Sequence, residues 1–262
     1  MGKISKFGIV TLSFLGGTVV GFLGNQVYHN LHVAQLAAND IKTTFTEHKE
    51  DPAPEVKMQD IIKVDTLKHA YVYYPQFSKI DLICGQRPNE NDDKIILATD
   101  AAFTGKVLKE FNHENVAGNH VSNGVFYKGY ACPVNTGAFS YYKKNWHFHL
   151  DNYDAQIAKA ADNEGMAFAQ ALFIHQGKRV HCEVQGKNNY HALCKKDGQL
   201  CLIENREPMD FFSFVMYLLD CGVQEALYLD LGKGFWHDNA GATHPLKSNG
   251  KSYNTNWIVF YK

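Results

Sequence analysis

The side chains best placed to do chemistry gather between Asn189 and Trp236. Asp230 closes the run Glu225-Ala226-Leu227-Tyr228-Leu229-Asp230 and is followed by Leu231-Gly232-Lys233-Gly234. A carboxylate at the carboxyl end of a strand stands where ligand crevices commonly open, and Gly232 and Gly234 let the backbone approach a bound group closely. Lys233 and the N–H groups around those glycines can hold an anionic oxygen, although Gly-Lys-Gly lacks the spacer and Ser/Thr of a P-loop. The competing role for Asp230 is to cap its own glycine turn. Glu204 is a second carboxylate, or a solvated charge at a strand end. His191 offers one or two donors to an anion, or covers a strand edge. Asp100 ends the run Lys94-Ile95-Ile96-Leu97-Ala98-Thr99 and can face the same crevice.

These residues need elements to hold them. His191-Ala192-Leu193-Cys194 and Leu200-Cys201-Leu202-Ile203-Glu204 are apolar runs joined through Asp197-Gly198, which predicts a tight hairpin. Phe211, Phe214, Val215, Leu218 and Leu219 recur at helical spacing, so one face of that segment must be buried. Pro208 suits its first turn and Gly222 the position just past its end. Residues 71–75, 80–85, 94–100, 124–128, 138–142 and 255–261 read as further strands, and 154–161 as a helix. Many strands with few helices predict an α+β domain around a large, mostly antiparallel mixed sheet.

This order of elements resembles the phosphodiester glycosidase domain family, the catalytic domain of the enzyme that uncovers mannose 6-phosphate and of many bacterial exported proteins. The family runs from an Arg-x-Ala-Ile/Leu-Gly strand through an Asp-Gly turn, a helix and a Leu-Gly pair to Ala-Leu-x-Leu-Asp-Gly-Gly. Here those elements stand as Ala192-Leu193-Cys194, Asp197-Gly198, the helix to Cys221-Gly222, and Ala226-Leu227-Tyr228-Leu229-Asp230-Leu231-Gly232. Two positions depart: Tyr190 or His191 stands where the family has arginine, and Leu231 where it has its first glycine. The likeness extends more weakly over about residues 72–262, including the closing Thr255-Asn256-Trp257-Ile258-Val259-Phe260.

The resemblance implies cleavage of a sugar phosphodiester on the glycosidic side, with a carbohydrate or sugar-phosphate substrate. Such a reaction puts positive charge on the anomeric carbon and returns negative charge to phosphate, so it needs carboxylates for the first and cations or N–H groups for the second. Asp230, Asp100 and Glu204 then become the catalytic candidates. His191, Lys233, Gly232 and Gly234 become phosphate-binding candidates, and Asn123 and Asn135 can hydrogen-bond sugar hydroxyls or simply build turns. Trp146 and Trp236 can stack on a sugar ring or pack in the core. The alternative is a glycan-binding or scaffolding protein of the cell envelope that kept the fold and lost the chemistry.

The 262 residues, 45% of them apolar, supply one large domain and something extra. A formal net charge of −1 gives no electrostatic case for nucleic acid. Lys3 and Lys6 precede Phe7 to Leu23, an uncharged apolar run at the short end of the roughly 17–25 residues that span a bilayer. It reads as an anchor or signal segment, with the anchor favoured and the rest of the chain outside the cytoplasm, periplasmic or extracellular. Residues 24–59 read as a polar stalk and 60–262 as the glycosidase-like domain. Six cysteines suit an oxidising compartment, and Cys194 and Cys201, on opposite hairpin arms, can approach each other. His147 and His149 form a pair without a third ligand, so no metal and no cofactor is expected.

Overall fold

A computed structural model describes residues 60–248 and 255–262. The apolar run Phe7–Leu23 and the stalk therefore lie outside the described residues. No described helix is long and apolar enough to cross a membrane.

Every strand ladder in the described chain is antiparallel, and the ladders form three sheets and a short ribbon. The seven-stranded sheet runs in the order Ile62–Thr66, Ala70–Pro75, Gln199–Asn205, His191–Lys196, Val223–Leu229, Leu172–His175, Lys178–Arg179. A five-stranded sheet has the order Thr243–Pro245, Phe235–His237, Ile95–Asp100, Asn256–Tyr261, Lys79–Cys84, so Ile95–Asp100 is its centre and the closing strand lies between that strand and Lys79–Cys84. The second five-stranded sheet runs Val125–Tyr127, His120–Ser122, Met166–Gln170, Gly137–Tyr142, Asn145–His149. The expected antiparallel pairing is thus present, distributed over several sheets.

The hairpin forms as its sequence requires. Asp197 and Gly198 both take positive φ, 50° and 76°, which turns the chain in two residues and pairs Lys196 with Gln199, Cys194 with Cys201 and His191 with Glu204. Cys194 and Cys201 face each other across the ladder as free thiols, as are the other four cysteines.

Period-two alternation assigns the two faces of this sheet. Tyr190, Ala192, Cys194, Ile203 and Tyr228 pack under the helix Phe211–Asp220, whose Phe211, Phe214, Val215 and Leu218 are buried against them. Each such side chain contributes roughly 1.5–3 kcal/mol on leaving water. Leu193, Leu202, Leu227 and Leu229 point the other way, into a core shared with Ile96, Leu97, Ile258 and Phe260 of the five-stranded sheet. The helix begins later than Pro208 suggests. Asp210 is its cap, accepting from the Ser213 N–H at 2.9 Å, and Pro208 lies outside. The second helix, Tyr153–Ala161, buries Ile157 and Ala160 against Val121, Ala138, Ala167 and Ala169.

Candidate functional site

Register brings three sequence-distant acids to one end of the shared core. His191 is paired with Glu204 on one neighbouring strand and with Leu229, the residue before Asp230, on the other. From the facing sheet, the strand Ile95–Asp100 delivers Thr99 and Asp100. The two strand ends are tied directly, since the Asp230 N–H donates to the Ala101 carbonyl at 3.1 Å. Asn256 clamps the chain just beyond Asp100: its Oδ1 accepts from the Ala102 N–H at 2.8 Å and its Nδ2 donates to the Ala102 carbonyl at 3.0 Å.

Asp100 is fully buried, and neither of its oxygens has a hydrogen-bond partner among the described residues. The indole N–H of Trp257, its partner in the ladder, is likewise unpaired, so the two groups approach each other without hydrogen-bond geometry. Burial, and then the charge of Asp230, push the Asp100 carboxyl up to about 9, against smaller opposing effects of the Gly232 N–H, the Arg87 guanidinium and the Trp257 indole. Asp230 is half-buried. Burial raises its carboxyl too, and the N–H groups of Leu231 and Thr104 and the nearby His191 oppose the rise; the Leu231 N–H donates to Asp230 Oδ1 at 2.9 Å. Near neutral pH this pair therefore holds a proton on Asp100.

Glu204 is no solvated strand end. It is buried, accepts from the Tyr73 hydroxyl at 2.7 Å and from the Lys247 N–H at 2.9 Å, and lies 3.2 Å from His191 Nε2. That last approach has the distance of an ion pair without the alignment of a hydrogen bond. Burial alone would raise the Glu204 carboxyl, but His191, Tyr73 and the Lys247 N–H together hold it below its ordinary value. The other His191 nitrogen, Nδ1, is 3.5 Å from Thr99 Oγ1. His191 thus faces the acids, whereas Tyr190 turns to the helix side, packing on Phe211 and Phe214.

Beyond Asp230 the glycine loop closes onto the Ile95–Asp100 strand. Gly232 and Gly234 are buried, and a Cβ at 234 would stand 2.7 Å from the Ala98 carbonyl oxygen and 3.0 Å from Thr99 Cβ, so only glycine fits there. Lys233 is exposed and lines a pocket of about 400 Å³ with Arg87, Glu90, Phe235, Thr243 and Ser248. Arg87, 3.2 Å from Glu90, also acts on Asp100 through its charge. The pocket therefore carries two cations and one carboxylate, Glu90, and neither Asp100 nor Asp230 is among its lining residues.

The structure brings together Asp100, Asp230, Glu204, His191 and Gly232, with Lys233 and Gly234 on the adjoining pocket. Asn123 and Asn135 make their contacts elsewhere. Asn123 is the exposed tip of the hairpin between His120–Ser122 and Val125–Tyr127, with φ of 52°, so turn chemistry explains it. Asn135 is buried with its Nδ2 donating to the Ala117 carbonyl at 3.3 Å, a tie within the scaffold. Trp146 packs beside Phe148 and the Lys195 ammonium, and Trp236 stacks on His244 at 4.4 Å and leans on Tyr73. His149 is hydrogen-bonded through Nε2 to Ser140 Oγ at 2.8 Å and gains no further ligand from His147. Tyr73, Arg87, Thr99, Lys247 and Asn256 are the neighbours that sequence reading missed. Only Asn256 had a signal, as part of the closing Thr-Asn pair. A larger pocket, about 640 Å³, lies beside the helix Phe211–Asp220 on the opposite face of the seven-stranded sheet and is lined by Phe212, Met216 and Tyr217.

No family model and no curated protein matches this chain by sequence. By structure the chain is similar to the catalytic domain of zebrafish N-acetylglucosamine-1-phosphodiester alpha-N-acetylglucosaminidase, solved in a form auto-inhibited by its pro-peptide. The TM-score is 0.52 at 13% identity, over 82% of this chain and 86% of that one. The two proteins share a distant fold.

Proposed function

We propose that this protein hydrolyses a sugar-1-phosphodiester, breaking the bond between the anomeric carbon and the bridging oxygen. The observation that carries the proposal is the Asp100–Asp230 pair, two carboxyls that burial raises, that of Asp100 to about 9, with the Arg87 guanidinium acting on Asp100 through its charge and lining a pocket with Lys233. The ionised Asp230 stabilises or attacks the developing positive charge at the anomeric carbon, and Asp100 is the proton donor to the departing phosphate oxygen. Arg87 and Lys233 receive the phosphate, whose negative charge grows as the bond breaks. Arg87 supplies a guanidinium from the Gly85-Gln86-Arg87-Pro88 turn, which offsets the histidine at position 191, and its planar fork suits two phosphate oxygens. His191, Glu204, Tyr73 and Thr99 form a buried polar chain that fixes the floor beneath Asp230.

The fold shared with the zebrafish catalytic domain makes an N-acetylglucosamine 1-phosphodiester the first substrate to try. The uncharged run Phe7–Leu23 behind Lys3 and Lys6 supports an envelope protein anchored with its domain outside the cytoplasm, acting on an envelope or extracellular glycan. Hydrolysis in ¹⁸O-water tests the bond: label in the released sugar is the expected result, and label in the phosphate would refute cleavage at the anomeric carbon. The full burial of Asp100 and His191 favours one other reading, a glycan-binding relative without turnover. Retention of the phosphodiester on immobilised protein with no product released would establish it.

A further inference from the structure

On another part of the fold, three side chains converge that the glycosidase reading does not use. Cys84 ends the strand Lys79–Cys84, His113 lies in the single 3-10 turn His113–Asn115, and His120 opens the strand His120–Ser122. Their ligating atoms all lie within 4.8 Å of one another. His113 Nδ1 is 2.8 Å from His120 Nε2, so the two rings share one proton. His120 Nδ1 is 3.1 Å from the Gly118 carbonyl, which can only accept; that contact fixes the proton on Nδ1 and leaves the Nε2 lone pair pointing at the cluster.

The second shell is built as well. The His113 ring stacks on Tyr127 with centroids 3.3 Å apart and planes within 8°, so it cannot swing freely. Its turn is held by a reciprocal cap between Asn112 and Asn115. The Ser122 hydroxyl, which donates to the Leu82 carbonyl at 2.7 Å, also borders the Cys84 sulfur. A ligating imidazole whose second nitrogen donates to a backbone carbonyl is the usual arrangement of a metal-bound histidine.

We propose that Cys84, His113 and His120 form a binding site for a thiophilic divalent cation, with Zn²⁺ as the reference ion and a fourth, tetrahedral position left for water. One thiolate and two imidazoles match the donors that zinc prefers and that calcium and magnesium do not. On binding, the Cys84 S–H bond breaks and a sulfur–metal bond forms. The His113 proton moves from Nδ1 to Nε2, and one proton per ion is released to solvent. Zn–N bonds of about 2.05 Å at a tetrahedral angle put the two nitrogens roughly 3.3 Å apart, so the rings must separate by about half an ångström. Cys84 and His113 are only partly buried, which leaves a path for the ion. The ion would join the sheet containing Cys84 to the one containing His120.

The test is a Co²⁺ titration of the full chain after dialysis against chelator and reductant. The expected result is a thiolate-to-cobalt charge-transfer band that saturates at one equivalent and is erased by Zn²⁺, with Cys84→Ser abolishing it. His113→Ala, at a half-buried position, should weaken binding at least tenfold and keep the fold by circular dichroism. Histidines near the amino terminus can bind cobalt without sulfur, so the sulfur band separates the two. Failure of the parent protein to develop that band, or its persistence in the Cys84→Ser protein, would overturn the assignment. Neither result bears on the glycosidase proposal.

Discussion

Replacing Asp100 by asparagine should change how stability depends on pH before any substrate is added. Asp100 is fully buried without a partner, and its carboxyl is pushed up to about 9 from the value near 4 that it has in the unfolded chain. Between those limits the folded protein keeps a proton that the unfolded chain releases. Stability contributed by this group is therefore whole below about pH 4 and is lost as pH rises toward 9. One proton changes the folding constant about tenfold per pH unit, so from pH 6 to pH 8 the parent loses roughly 3 kcal/mol at this site. For a domain of this size that corresponds to about 6–12 °C in Tm. Asparagine has the same shape and no proton to lose, so the Asp100→Asn melting curve should be flatter by that amount and lie above the parent at pH 8. Scanning calorimetry of both proteins between pH 5 and pH 8 reads the difference. Curves that run parallel would show that Asp100 titrates normally, and the proton assignment for the pair would be wrong.

Other consequences follow from the same geometry. Arg87→Ala and Lys233→Ala should each lower kcat/KM for a sugar-1-phosphodiester by about ten- to a hundredfold, since a hydrogen bond to a charged group contributes roughly 1.5–3 kcal/mol; kinetics with an uncharged aryl glycoside of the same sugar, which has no phosphate to hold, should change far less. Gly234→Ala drives a methyl group against the Ala98 carbonyl and should cost about 1–3 kcal/mol, read in a urea melt. Phe214→Ala empties a fully buried position beneath the helix and should cost about 3–5 kcal/mol, without altering the pH dependence of whatever activity remains.

The hairpin, the helix face and the strand before Asp230 were legible because each is a local pattern: Asp197-Gly198 dictates its own turn, and Phe211, Phe214, Val215 and Leu218 share one side by period alone. The helix start was misplaced because Pro208 and Asp210 both suit a first turn, and only the Ser213 N–H decides which residue caps. The candidate acids were found as strand ends, but their grouping was not readable. It depends on long-range register, His191 against both Glu204 and Leu229, and on the Asp230–Ala101 tie between sheets. Short strands such as Phe235–His237 and Thr243–Pro245 carry too few residues to show alternation. Arg87 sits in an exposed turn with nothing local to distinguish it, and Cys84, His113 and His120 lack any metal-ligand spacing. Asn123, at a hairpin tip with φ of 52°, is accounted for by turn chemistry, the alternative that its Asn-Gly step already carried.

The proposed hydrolysis requires Asp230 and Asp100 to act as unlike members of one pair. Steady-state hydrolysis of an N-acetylglucosamine 1-phosphodiester by the parent and by Asp230→Asn, followed from pH 5 to pH 10, addresses that most directly. The parent should show a basic limb as Asp100 loses its proton near pH 9, and Asp230→Asn should fall at least a hundredfold in kcat with its fold intact. Turnover by Asp230→Asn at the parental rate would contradict the account.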